Sequence, residues 1–367
     1  MDKIPELDGK FVVFGIVSNG YEVIKSMIFE ELIDPLNSEV SVIAEMSGNH
    51  QSSLKSAMQF VEKAIRYEAD IIKFQVYKPE TITLKSTFKD FRVESESSWN
   101  EYKFLYDLYE KAYTPWDWIE TLASYLDSVQ FPWFASPFDL TAIEFLEKIG
   151  CPAYKVASPE ITDVGLIETL STTGKPIILS TGVANKTDLD LAVNTIRKKH
   201  CKFAILKCTS AYPAPNSDLN LNAIPKLIEN YNCAIGFSDH TIGFDAAKTA
   251  VALGATIIEK HFKLDDDKTS IDAHFSANIS ELPKFKKEIK NIRSSLGKNN
   301  LAIEKSVKSG LNGRRSLYVV KNIKKGERFT VDNVKSIRPV HGLHPKHLKR
   351  VLNKTATQNI NAGSRLE

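Results

Sequence analysis

VSVIAEMSGNHQSSLKSAMQFVEKAIRYEADIIKFQVY (40–77) reads as one strand–helix–strand unit. Two short runs rich in Val, Ile and Phe end in polar residues, and an amphipathic stretch of helical length lies between them. The same alternation continues down the chain. It predicts strands at 40–46, 71–77, 131–137, 153–158, 176–182, 203–210, 234–240 and 256–262. It predicts helices that include 54–68, 116–128, 141–148, 188–199, 223–230 and 245–253, with 281–296 as the last. Eight such units over about 250 residues match the size of a (β/α)8 TIM barrel. A doubly wound open sheet is the alternative, but eight strands and no GxGxxG turn favour the barrel.

Outside the barrel pattern, the polar segment 85–100 interrupts the second unit and reads as an insertion or lid over the mouth. The predicted barrel domain spans 40–296. A polar, pattern-poor linker follows at 297–313, and then a small, mostly β module at 314–367, in which 315–320 and 335–337 read as strands and KKGE as a turn. Residues 1–39 do not follow the βα rhythm and form an N-terminal extension. The 367 residues are 43% hydrophobic and 25% charged, which excludes disorder as the main state. Forty-eight basic against 45 acidic residues leave a net charge of +3, too balanced for nucleic acid as the main partner. The four cysteines have no CxxC spacing, so reduced, buried thiols are expected. No apolar run of about 18 residues predicts a membrane span, and the start lacks a signal-peptide pattern. The expected location is cytoplasmic.

In a (β/α)8 barrel the chemistry sits at the C-terminal ends of the strands. Those ends carry Glu45, with Asn49 and His50 beyond it; Lys73 and Gln75; Ser136; Lys155, Ser158 and Glu160; Ser180 and Thr181; Lys207, Thr209, Ser210 and Tyr212; Ser238, Asp239 and His240; and Glu259, Lys260 and His261. Lysines such as Lys73 and Lys155 and several hydroxyls converging on one mouth suit a phosphate or carboxylate. His240 and His261 end adjacent strands, and imidazole suits divalent Mn, Fe, Co, Ni or Zn, with Glu or water completing the sphere. Glu45 is the acid/base candidate if the site desolvates it. Plainer roles compete with these. Lys73 or Lys155 alone could be an ion-pair partner inside the barrel. Cys208 reads as packing, 265–267 (DDD) as a solvated loop, and Trp116 and Trp118 as packing of the helix after the lid. From spacing alone the reading is a metal-assisted barrel enzyme with an anionic substrate.

The strand-end strings resemble a known family. IAEMSGNH (43–50), IIKFQVYKPETIT (71–83), AYTPWDW (112–118), ASPFD (135–139), AYKVASPEITD (153–163), GKPIILSTG (174–182), LKCTSAYPAP (206–215), GFSDHTIG (236–243) and IIEKHF (257–262) are similar to the sialic-acid synthases. RRSLYVVKNIKKGERFTVDNVKSIRP (314–339) resembles their antifreeze-like (SAF) module. That family condenses phosphoenolpyruvate (PEP) with an N-acyl amino-sugar. EMSGNH, YTPWDW, CTSAYPAP and IDAHFS (271–276) are most similar to the subgroup whose product is pseudaminate. The alternative subgroups make N-acetylneuraminate or legionaminate.

The resemblance implies that PEP is held by Lys73, Ser136, Lys155, Ser158, Ser180, Ser210 and Ser238. It implies a divalent metal, Mn2+ or Mg2+ with Co2+ possible, on His240 and His261. Glu45 would stand beside the reacting centre, and Gln75, Glu160, Tyr212, Asp272 and Arg338 would face the sugar. It further implies a homodimer in which the SAF module crosses to the partner's barrel. The chain departs from the family at Gln51, where relatives carry a second Asn, and at DDDKTSI (265–271), which lacks their glycines.

Overall fold

The computed structural model describes residues 20–37, 39–297 and 300–367. The rest of the predicted extension (1–19 and 38) and residues 298–299 of the predicted linker lie outside the described residues. The chain divides into two compact units at 297/298.

In the first unit, β1 (Ser41–Glu45), β2 (Ile71–Val76), β3 (Trp133–Pro137), β4 (Tyr154–Val156), β5 (Ile177–Ser180), β6 (Phe203–Cys208), β7 (Ala234–Asp239) and β8 (Ile257–Lys263) pair in chain order. Each pairing is parallel, and β8 pairs back onto β1, which closes the barrel. Such strands are covered on both sides, by the barrel interior and by helices, which is why they are apolar runs and almost wholly buried. Gly236 is required in β7: a Cβ there would strike the Ile257 carbonyl and the Leu206 side chain.

The helices follow their sequence signals. Leu54–Arg66 starts at Ser53, whose hydroxyl accepts from Ser56 N–H, and it buries Ala57, Phe60, Val61 and Ala64, one face at helical spacing. Asp139 caps Leu140–Lys148, and Asn185 with Asp188 forms a capping box on Lys186–Lys198. Among the helices not anticipated are two in the barrel's connections. Leu105–Ala112 follows the lid, and Val164–Thr172 follows β4. Gly165 and four β-branched residues weaken the local signal of the second, and burial of Leu166, Ile167 and Leu170 supplies what propensity does not.

The described part of the N-terminal extension belongs to the barrel unit. Helix α1 (Gly20–Leu32) buries Phe29 and Leu32, and Ile33 just beyond it is buried too. The Phe29 ring lies 5.3 Å from that of Phe134 near the start of β3. Lys25 donates to Asp127, and Glu30 pairs with Lys202 just before β6. These contacts fall at strand N-termini and, for Asp127, at the C-terminal end of the helix Trp116–Ser128 that leads into β3, so α1 packs at the end of the barrel opposite the mouth.

At the mouth, the chain after β8 returns as β9 (Ala277–Asn278), parallel to the end of β8. The second unit contains β10 (Ser316–Val319) and β11 (Val334–Ile337), paired antiparallel, with further isolated bridges and a small core of Leu317, Val319, Ile323, Val334, Val351 and Ala356. Arg338 follows β11 and is exposed on that unit. Among the described residues no helix is long and apolar enough to cross a membrane.

Candidate active site

Register gathers the strand-end residues. Glu45 stands opposite Lys73 on one side and His261 on the other. Gln75 stands opposite Ser136, and Ser238 opposite Glu259. Because side chains alternate along a strand, β8 sends Glu259 and His261 one way and Lys260 the other. Lys260 pairs with Asp239 at 2.9 Å and donates to the Thr241 carbonyl. Asp239 and Lys260 are therefore a structural pair rather than part of the cluster.

The deep layer is a buried charge network. Lys73 Nζ lies 2.8 Å from Glu45 Oε2 and 3.2 Å from Glu259 Oε1. Lys155 Nζ lies 3.7 Å from the same Glu259 oxygen, to which Ser238 Oγ also donates at 3.0 Å. Lys73 Nζ reaches Ser136 Oγ at 3.4 Å. Both lysines are thus ion-paired inside the barrel. Burial opposes the charge on Lys73, but the Glu259 and Glu45 carboxylates outweigh it and raise its pKa. Lys155, with burial dominant, is pushed down. Glu259 is buried as well, yet the Lys155 and Lys73 charges hold its carboxyl below the usual range. Glu45 is fully buried, and burial raises its pKa despite Lys73. Two carboxylates therefore part company: one is held ionised by two ammonium groups, the other moves toward proton exchange.

Beside this layer is a hydroxyl cradle. Gly182 N–H donates to Ser158 Oγ at 2.9 Å. A Cβ on Gly182 would collide with Ser210 Oγ, lie 2.7 Å from Ser158 Oγ and 3.0 Å from Cys208 Sγ. The Ser180 and Ser210 hydroxyls are buried without a hydrogen-bond partner. Buried, unpaired hydroxyls are costly. Ser210 shares the space around Gly182 with Ser158 and Cys208, whose thiol feels the Lys155 charge, and hydroxyls in such a place suit an oxyanion.

The rim is built by loops. The His240 and His261 rings lie 5.4 Å apart between centroids, Tyr212 leans on His240 at 4.3 Å, and Phe275 lies 4.8 Å from His261. Asp272 Oδ2 accepts from Ser47 Oγ at 2.5 Å and lies 3.7 Å from His261 Nδ1. Gln75 Nε2 donates to Ser47 Oγ at 2.9 Å. The lid does reach this rim: Trp99 packs on Tyr212 at 5.2 Å and donates its indole N–H to the Ile271 carbonyl, and Ser98 Oγ donates to the Tyr212 carbonyl. Glu160 makes no ion pair with the network but feels the Lys155 charge; its Oε2 is buried and unpartnered, and burial pushes its carboxyl up to about 7.

Two sequence readings are corrected here. Asp267 is not solvated: it is fully buried, and its Oδ1 accepts from Thr269 N–H and Ser270 N–H, ordering the loop that carries Asp272. Cys208 is more than packing: its Sγ lies 3.8 Å from His240 Nδ1, and although burial opposes ionisation, His240 draws the thiol down to about 7. Trp116 and Trp118 do pack, on Phe145 and His50. Glu259 stood at a predicted strand end without a role, and Ser47 and Trp99 were not singled out. Glu259 could have been found by its place two residues before His261 on the same strand. Ser47 and Trp99 act through partners far away in the chain.

Among the described residues no group of three or more His, Cys, Asp or Glu side chains is arranged to hold a metal ion. The two imidazoles nonetheless fit as a pair of ligands. His240 Nδ1 faces the Thr209 carbonyl at 3.0 Å, and a carbonyl only accepts, so Nδ1 donates, and in the neutral ring Nε2 carries the lone pair. His261 is pushed well below its ordinary range by burial, to which the Lys73 and Lys260 charges add, and this keeps its ring neutral.

The model of the NeuB family matches residues 60–300, and that of the SAF domain matches 314–366. The chain belongs to the NeuB family and carries a SAF domain. It is 39% identical over 330 residues to pseudaminic acid synthase of Campylobacter jejuni subsp. jejuni serotype O:2, a match covering 90% of this chain and 96% of that protein. It is 38% identical over 327 residues to pseudaminic acid synthase of Helicobacter pylori, covering 89% and 96%. Among solved structures, the N-acetylneuraminic acid synthetase of Leptospira borgpetersenii superposes with a TM-score of 0.66 at 33% identity, covering 74% of this chain and 90% of that one.

Proposed function

We propose that this enzyme joins PEP, 2,4-diacetamido-2,4,6-trideoxy-L-altrose and water to give pseudaminate and phosphate. The observation that carries the reading is the match to two pseudaminic acid synthases along nearly their whole length. The site chemistry agrees with it. Lys73 and Lys155 would bind the PEP anion together with Ser136, Ser158, Ser180, Ser210 and Ser238. Gln75, Glu160, Tyr212, Asp272 and Arg338 would meet the sugar. A divalent Mn2+ or Mg2+ on His240 and His261, with Co2+ a further candidate, would supply Lewis-acid polarisation of the aldehyde oxygen.

The new bond runs from C3 of PEP to C1 of the open-chain aldehyde. Water adds at C2, and the tetrahedral intermediate expels phosphate by C–O cleavage. Glu45, buried and with a raised pKa, would take the proton of that water. The two ammonium groups would stabilise the departing phosphate. Binding both substrates in one mouth supplies orientation. We further place the enzyme in the cytoplasm as a homodimer in which Arg338 reaches the partner's barrel.

The decisive experiment incubates purified protein and PEP with the diacetamido-trideoxy altrose, its gluco- and manno-configured counterparts and N-acetylmannosamine, reading phosphate release and product mass. Phosphate release with the altrose acceptor supports the reading. Preference for the manno-configured diacetamido sugar or N-acetylmannosamine would move the assignment to legionaminate or N-acetylneuraminate. A legionaminic acid synthase of Campylobacter jejuni, at 32% identity, keeps the former in view.

A further inference from the structure

Ser47 is a buried, non-glycine residue in the left-handed backbone region, with φ 50. A serine is held there only when its surroundings over-determine it. Three hydrogen bonds do so. Its backbone N–H donates to Glu45 Oε1 at 2.8 Å, its hydroxyl donates to Asp272 Oδ2 at 2.5 Å, and Gln75 Nε2 donates to its oxygen at 2.9 Å. One residue thus touches the acid/base candidate and two side chains at the sugar end of the mouth.

The bonding order follows from donor counting. Burial raises the Asp272 pKa, but Ser47 and Gly48 both donate to its carboxylate and oppose that, so the single hydroxyl proton of Ser47 goes to Asp272. The Ser47 oxygen can then only accept from Gln75, which turns Nε2 inward and leaves Oε1 for a ligand. The side-chain hydrogen bonds to Asp272 all fall on Oδ2, that of Gly48 N–H included, which leaves Oδ1. The ligand therefore meets two accepting oxygens.

We propose that Ser47 is the positioning residue that sets sugar selectivity: by fixing Asp272 and Gln75 as acceptors, it selects an acyclic polyol amide that offers two donors, hydroxyl O–H or N-acyl N–H. This inference rests on the synthase reading and deepens it. It is separable from folding, because Ser47→Gly removes the hydroxyl, relaxes the backbone and keeps the N–H bond to Glu45, whereas Ser47→Ala removes the hydroxyl and keeps the strain.

The test is steady-state kinetics of the full chain and of Ser47→Ala and Ser47→Gly, varying PEP and the diacetamido acceptor separately, with melting temperatures alongside. Both variants should raise the acceptor KM about tenfold, the effect of one buried hydrogen bond in a binding site, while the PEP KM stays within about twofold. Ser47→Gly should melt at or above the wild-type temperature. Unchanged acceptor KM in the glycine variant would overturn the proposal. If the wild-type protein turns over none of the acceptors, the functional reading fails separately. Ser47 is then judged by melting a Ser47→Ala, Asp272→Asn cycle: non-additive losses keep the proposed coupling, and strictly additive losses overturn it.

Discussion

The floor of the barrel mouth and its rim are made from different kinds of chain. The floor is strand: Lys73, Ser136, Lys155, Ser238 and Glu259 stand on β2, β3, β4, β7 and β8, locked by a closed ladder of parallel pairs. The rim is loop: Ser47, Ser98, Trp99, Tyr212 and Asp272 meet through contacts between segments as much as 225 residues apart. The floor is rigid and presents charge. The rim reads shape and hydrogen bonds through residues held by one another and by a few strand-end side chains such as Glu45 and Gln75. A two-substrate enzyme can use that division, with a common anion below and a distinguishing sugar above.

The comparison can be broken by substitution. The largest effect is expected where the two halves meet: Glu45→Gln keeps an acceptor for Ser47 N–H but cannot take a proton. Turnover should fall about a thousandfold with PEP affinity retained, as general-base loss predicts, and rapid-quench phosphate release with PEP titration would check it. On the floor, Glu259→Ala leaves Lys155 without its carboxylate. Breaking a buried ion network costs about 3–5 kcal/mol, so chemical denaturation should show a loss of that size together with a raised PEP KM. A loss under about 1 kcal/mol would mean that Glu45 balances both lysines.

On the rim, Trp99→Ala removes the ring against Tyr212 and the bond to Ile271. The acceptor KM should rise about tenfold with PEP KM and stability nearly unchanged, the opposite pattern to Glu259→Ala. The smallest effect concerns Glu160, whose folded carboxyl titrates near 7 because burial raises it. The folded state holds this proton more tightly than the unfolded chain, so stability from this group falls as pH rises from about 4.5 through about 7. Glu160→Gln should therefore leave stability unchanged at pH 4.5 and raise it at pH 8, by of order 1 kcal/mol once partial exposure is allowed for, as chemical denaturation at the two pH values would show.

Much of the floor was legible because alternation is local. A strand that reads Ile-Ile-Lys-Phe-Gln-Val places Lys73 and Gln75 on one side, and the same rule puts Glu259 with His261. The rule also says that Lys260 turns away, yet nothing local says that Asp239 waits for it. The rim was less legible. Asp267 lies in a run of three acids that reads as solvent-facing, and only the folded loop turns its Oδ1 onto two backbone N–H groups. The extension at 1–39 carried no barrel rhythm, but Phe29 meets Phe134 once the barrel exists to offer a surface.

From sequence alone came the eightfold βα repeat, the strand ends that carry lysine, glutamate and histidine, and the boundary before a small β module, because periodicity and turn chemistry act over a few residues. Tertiary structure alone decided the sharing of Glu259 by two lysines, the three-way bond at Ser47 and the seating of Trp99. Those depend on closure of β8 onto β1 and on loop contacts spanning hundreds of residues, which no local pattern encodes.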